Sequence, residues 1–246
     1  MKKTILLLLA VTLSAVTVAS GQIDHTNRKE LIGAMEDSES FGKTVNFLGT
    51  LRGGSVILDP TCTFGPGELL PDDRCIVLAE EPGLTSFDER NLGTVVIPGN
   101  SARTNIYMIN TYVVDYQFFN GTGAFQDNAL FVYVPYITLE SAALNDPRAL
   151  DPVTHLPLNG KLDIELSSRR MIDRSLSSGE RFHEQLNYSR ALIAGLNKAG
   201  LVDMGLPSDI VDNIFKGTIT IRENLRGRAR HVNGATLIYA SRLMGN

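Results

Sequence analysis

In residues 104–139 apolar side chains recur at every second position, in two runs separated by a cluster of Gly, Asn and Asp. In the first run Ile106, Met108, Tyr112, Val114, Tyr116 and Phe118 fall on one side, while Asn105, Thr111, Asp115 and Gln117 share the other with Tyr107, Ile109, Val113 and Phe119. Side chains of a strand share a face at a period of two. This run therefore predicts a strand that is apolar on both faces and more so on one. The second run sets Leu130, Val132, Val134 and Tyr136 against Phe131, Tyr133 and Ile137, and its β-branched and aromatic residues suit a half-buried pleated surface. The two runs predict a central antiparallel pair. Residues 120–128 are too many for a two-residue turn, but Asn120-Gly121 supplies residues that tolerate positive φ where the chain reverses.

Upstream, short apolar runs at 45–51, 55–58, 75–79 and 94–97 are punctuated by Gly and Pro, the texture of a sandwich or barrel. Downstream, Leu162, Ile164 and Leu166 alternate with Asp163 and Glu165, which predicts a strand with one wet face. The period then changes. Phe182, Leu186, Ser189, Ile193 and Leu196 recur at steps of four and three, predicting a helix over 179–199 that Ser178 caps and Lys198-Ala199-Gly200 ends. A second helix starts with Ser208 as cap and Asp209 in the positively charged first turn; Ile210, Val211, Ile214 and Phe215 form its apolar face and Gly217 ends it. Near the C-terminus, Asn233-Gly234 between extended runs at 225–232 and 235–243 predicts a hairpin with a two-residue turn. The fold class that follows is mainly β: an antiparallel β-sandwich, jelly-roll or immunoglobulin-like, with a helical hairpin inserted near residues 179–216.

The first 21 residues stand apart. Lys2 and Lys3 precede an apolar run over 5–18 and the small residues Ala19, Ser20 and Gly21, the pattern of a secretory signal peptide of bacterial type. The run is shorter than the roughly 20 residues needed to span a bilayer and is interrupted by Thr and Ser. Residues 22–42 form a polar leader in which Thr26 is placed to cap a short helix through Glu30, Leu31, Ala34 and Met35; an unstructured leader fits equally. Residues 43–246 are then a single domain, secreted or periplasmic, and not an integral membrane protein after signal cleavage.

Without the signal peptide, 21 basic residues stand against 27 acidic ones, a formal charge of −6. Such a balance excludes a general attraction to nucleic acid or to anionic membranes. It also argues against reading the two predicted helices as a DNA-binding unit. Cys62 and Cys75 are the only cysteines, and in an exported chain an even pair across a Pro- and Gly-rich loop predicts a disulfide.

Catalytic signals are sparse. His25, His155, His183 and His231 belong to no recognised catalytic or metal-binding spacing. The segment 140–160, with three prolines, is the kind of long connection that carries function, and His155 with Asp151 is its candidate acid–base pair. Asp146, Asp151 and Asp163 offer oxygen ligands, but they lack the spacing of a calcium loop, so no metal and no cofactor is expected. The C-terminal hairpin adds a different candidate. Arg226, Arg228 and Arg230 would project from one face across Tyr239, matching an anionic polymer or an acidic protein surface; the plainer reading is protection of an edge strand. The resulting expectation is an exported, non-catalytic sandwich acting as a structural or interaction module. The alternative is a secreted hydrolase with a site assembled from residues 140–160.

Overall fold

The computed structural model describes residues 46–166, 169–192 and 196–246, with side chains throughout except at 52, 53 and 188–192. The expected signal peptide and polar leader lie outside the described residues. The described residues are mainly β, with ten strands in two mostly antiparallel sheets. The strands are β1 (Asn46–Asp59), β2 (Arg74–Val77), β3 (Thr85–Ile97), β4 (Ile106–Phe119), β5 (Gln126–Glu140), β6 (Lys161–Glu165), β7 (Arg170–Leu176), β8 (Arg181–Leu192), β9 (Ile219–Arg230) and β10 (Val232–Gly245). The first sheet has the order β2-β1-β10-β4-β8; the second runs β3-β9-β5-β6, with β7 also pairing β5. Among the described residues the β1–β2 pair alone is parallel.

The two long alternating runs are strands, but they do not pair with each other. β4 lies in the first sheet between β10 and β8, and β5 in the second between β9 and the β6/β7 edge. Each has a fully covered inner face, which is why both read as apolar in sequence. Tyr112, Val114, Tyr116 and Phe118 of β4 meet Phe131 and Tyr133 of β5 in one buried cluster, with Leu237 and Tyr239 of β10. A second cluster joins Ile106 and Met108 to Ile137, Leu139 and the apolar faces of two helices.

Residues 181–192 form strand β8 rather than a helix, pairing with β4 from Phe119↔Arg181 to Met108↔Leu192. The core-facing row Phe182, Glu184, Leu186 is interrupted by a carboxylate, and that interruption hid the period of two. The carboxylate is used: Glu184 accepts a hydrogen bond from the buried Tyr116 hydroxyl. Helices do follow, as α1 (Lys198–Asp203) and α2 (Ser208–Lys216). Asn197 caps α1 by accepting from the Gly200 amide at 2.6 Å. The N-cap of α2 is Pro207 rather than Ser208, with no side-chain cap; Ile210, Val211, Ile214 and Phe215 are buried and Gly217 ends the helix as expected.

Asn233-Gly234 does not make a hairpin. β9 belongs to the second sheet and β10 to the first, and the chain crosses between them at His231, whose φ is +54°. Asn233 and Gly234 lie inside β10 at a register shift opposite β4, where Asn233 donates to Gln117 at 3.1 Å.

Cys62 and Cys75 are bonded, with Cα atoms 5.8 Å apart, and tie the loop after β1 to β2. A closed loop of this length stabilises by about 3 kcal/mol on the chain-entropy account. Adding reductant is expected to lower the unfolding free energy by about that amount, read from denaturant melts with and without it.

A polar belt separates the two apolar clusters. Asn110, Ser241 and Glu223 are all buried on inward-facing positions, and Glu223 is 1 % exposed. The Ser241 hydroxyl lies 3.0 Å from Glu223 Oε1 and 2.5 Å from Asn110 Oδ1. Burial pushes the Glu223 carboxyl up to about 8, with the Ser241 hydrogen bond working in the other direction. The Ser241 hydroxyl is within donating distance of both Glu223 Oε1 and Asn110 Oδ1, so hydrogen bonding links one sheet to the other through the core.

Candidate interaction face

β9 runs between β3 and β5, so its side chains alternate between the core and the outer face of the second sheet. Ile219, Ile221, Glu223, Leu225 and Ala229 point inward; Arg222, Asn224, Arg226, Arg228 and Arg230 share the outer face. The structure brings the three arginines named from sequence onto one strand face. It removes Tyr239 from them, because Tyr239 sits on β10 in the other sheet and is buried in the core. The edge-protection reading also fails, since β9 has hydrogen-bonded neighbours on both sides.

Tyr136 of β5 takes the place expected of Tyr239. The guanidinium carbons of Arg226 and Arg90 lie 5.3 and 5.4 Å from its ring centroid, and its hydroxyl donates to Asp88 at 2.5 Å. Burial, followed by the hydrogen bond to Asp88, pushes this hydroxyl well above the ordinary phenol range. Around it the charges are satisfied. Arg90 pairs with Asp88 and with Asp163, at 3.3 and 3.1 Å; Arg226 pairs with Glu165. Arg222 and Lys161 both hold Glu140 at 3.0 Å, and their hydrogen bonds keep that carboxyl below its usual range. Thr138 donates to Asp163 at 2.6 Å and Asn224 donates to Thr138 at 2.9 Å. Sequence reasoning missed Tyr136, Asp88, Arg90 and Asp163 as members of this face. The outward period of Leu130, Val132, Val134 and Tyr136 was the available signal.

Beyond this network the face changes character. Arg228 and Arg230 make no ion pair among the described residues, and the buried Nε of Arg230 has no hydrogen-bond partner. Their cross-strand neighbours are Ser86, Val132 and Leu130. Met171 of β7 pairs with Val132 and is 61 % exposed, and Asp173 pairs with Leu130. Leu84, 39 % exposed, stands beside Thr85, which pairs with Ala229. Two cations with no ion-pair partner among the described residues thus lie beside aliphatic side chains.

The other candidates are not brought together in this way. Asp151 accepts from the Val153 and Thr154 amides and the Thr154 hydroxyl within its own turn, and those bonds, the Thr154 amide first, lower its pKa. The Asp151 carbonyl accepts from the His155 amide at 2.9 Å, a turn contact, and the His155 side chain is exposed. The segment 140–160 is held down rather than open: Leu144 and Ala149 are fully buried and Arg148 bridges Asp146 to Asp209 of α2. Asp146, Asp151 and Asp163 are taken up by separate partners, and no group of three or more His, Cys, Asp or Glu side chains suited to a metal ion occurs among the described residues. Among those residues the histidine–carboxylate contacts are His183 Nε2 to Asp115 at 3.1 Å and His231 Nδ1 to Glu81 at 3.6 Å. No helix among them is long and apolar enough to cross a membrane. No known protein family matches the chain, and no curated protein is similar to it.

Proposed function

We propose that the chain is an exported, non-catalytic β-sandwich that acts as an interaction module, contacting an anionic partner through the outer face of its second sheet. The observation that carries this reading is the pair Arg228 and Arg230: side by side on the outer face of a central strand, and without carboxylate partners among the described residues. Arginines held only for solubility or edge protection have no need of a central strand, and their neighbours on this face, Arg90, Arg222 and Arg226, are all paired. A planar guanidinium binds carboxylate, sulfate or phosphate in two-pronged geometry, and it does so better on a dry apolar floor than in bulk water. The Cys62–Cys75 disulfide supports an oxidising compartment.

The test is a double substitution, R228Q/R230Q, with dextran sulfate as the probe at low and moderate salt. The parent is expected to bind and the variant to bind at least about tenfold more weakly, with an unchanged melting temperature. Equal binding by the two proteins, or none by the parent, would remove the face from consideration.

A further inference from the structure

We infer that the partner of this face is an acidic segment of another polypeptide, laid along β9 in extended conformation, with carboxylates at alternate residues and apolar side chains near them. The inference rests on the interaction reading above and narrows it from any anion to one class. Three observations carry it.

The first is spacing. Arg228 and Arg230 are two residues apart on one strand face, about 7 Å along the strand. An extended peptide repeats its own side chains on one side at the same interval, so carboxylates two residues apart meet both guanidinium groups at once. Adjacent carboxylates point to opposite sides and cannot do so.

The second is the floor. Met171 and Leu84 are exposed, and Leu130 and Val132 half-buried, beside the two arginines. A uniformly hydrated polyanion leaves that apolar surface wet, whereas aliphatic or aromatic side chains of a peptide cover it and gain from its burial.

The third is the border. Asp173 lies beyond Leu130 on one side, while Asp88 and Glu165 lie beside Arg226 on the other. These carboxylates confine the hold on a long uniform polyanion to the two arginines between them, without abolishing it, and suit a short motif of two negative charges. β9 is already paired on both edges, so recognition runs through side chains rather than by addition of a strand to the sheet.

The experiment compares three probes on the full mature protein and on R228Q/R230Q: a fluorescent peptide with glutamates two residues apart between leucines, an isomer of the same composition with the glutamates adjacent, and dextran sulfate. The spaced peptide is expected to bind the parent roughly tenfold tighter than the isomer, a preference that the double variant loses. A third protein, Met171→Ser, should weaken the spaced peptide and leave dextran sulfate unchanged. If dextran sulfate binds through the two arginines while the peptides are weak or indistinguishable, the anion-binding face stands and the peptide inference falls. If no probe depends on the arginines, both fall.

Discussion

Glu223→Gln is expected to raise the melting temperature at pH 9 by on the order of 10 °C and to leave it nearly unchanged at pH 4. The carboxyl is buried between the sheets, and its pKa is pushed up from an ordinary 4.5 to about 8. Below pH 4.5 it is protonated in both the folded and the unfolded chain, and its contribution to stability is fully present. Between pH 4.5 and 8 the unfolded chain gives up the proton that the folded chain keeps, so stability falls as pH rises. Above pH 8 the folded core must hold a carboxylate, at a cost on the order of 4 kcal/mol relative to the neutral group. Glutamine keeps an acceptor oxygen for the Ser241 hydroxyl and cannot ionise. Acid-side losses from surface carboxylates such as Asp146, which Arg148 holds down to about 2, occur in both proteins and cancel in the difference. Melting curves from pH 4 to 9 that run parallel for parent and variant would show that Glu223 is not carrying this proton.

Val114→Asp is expected to prevent folding altogether. Val114 is fully buried in the middle of β4, opposite Leu237 of β10 and Leu186 of β8, with Tyr112 and Tyr116 on the same face. Glu223 is tolerated because it is neutral and hydrogen-bonded to Ser241 in the polar belt. An aspartate at 114 would be surrounded by leucine and aromatic side chains. An unpartnered buried charge costs several kcal/mol, comparable to a net domain stability of about 5–15 kcal/mol. The control Val114→Ala should fold and lose roughly 2 kcal/mol. Recovery of the aspartate variant as a folded protein with parental melting temperature would place residue 114 on the outer face.

These two residues also show how far the sequence could be read. Val114 was legible as a core residue because a strand covered on its inner face writes its environment at a period of two. Glu223 was not, because a carboxylate between Arg222 and Asn224 reads as a wet position. Only the meeting of β9 with β10 across the core shows it to be dry. The same blindness to partners produced the error at 181–192, where Glu184 answers a tyrosine 68 residues away. It also produced the error at Asn233-Gly234, where local turn chemistry was overruled by the chain changing sheets at His231. The arginine row was visible as a pattern. Of its real companions, Tyr136 of β5 stood in a visible outward period, whereas Asp88 of β3 had no local signature. Disulfide pairing needed no such long-range knowledge, because two cysteines leave one choice.

β9 and β10, the latest strands in the sequence, are interior strands of the two sheets, one between β3 and β5 and the other between β1 and β4. Until both have emerged, β1 and β4 lack the strand they share, and so do β3 and β5. Contacts between segments so distant in the chain make folding slow. A chain organised in this way leaves both sheets incomplete until β9 and β10 take their places. The strand order thus acts as a timing device: neither sheet closes until the strand shared by two of its members has joined it.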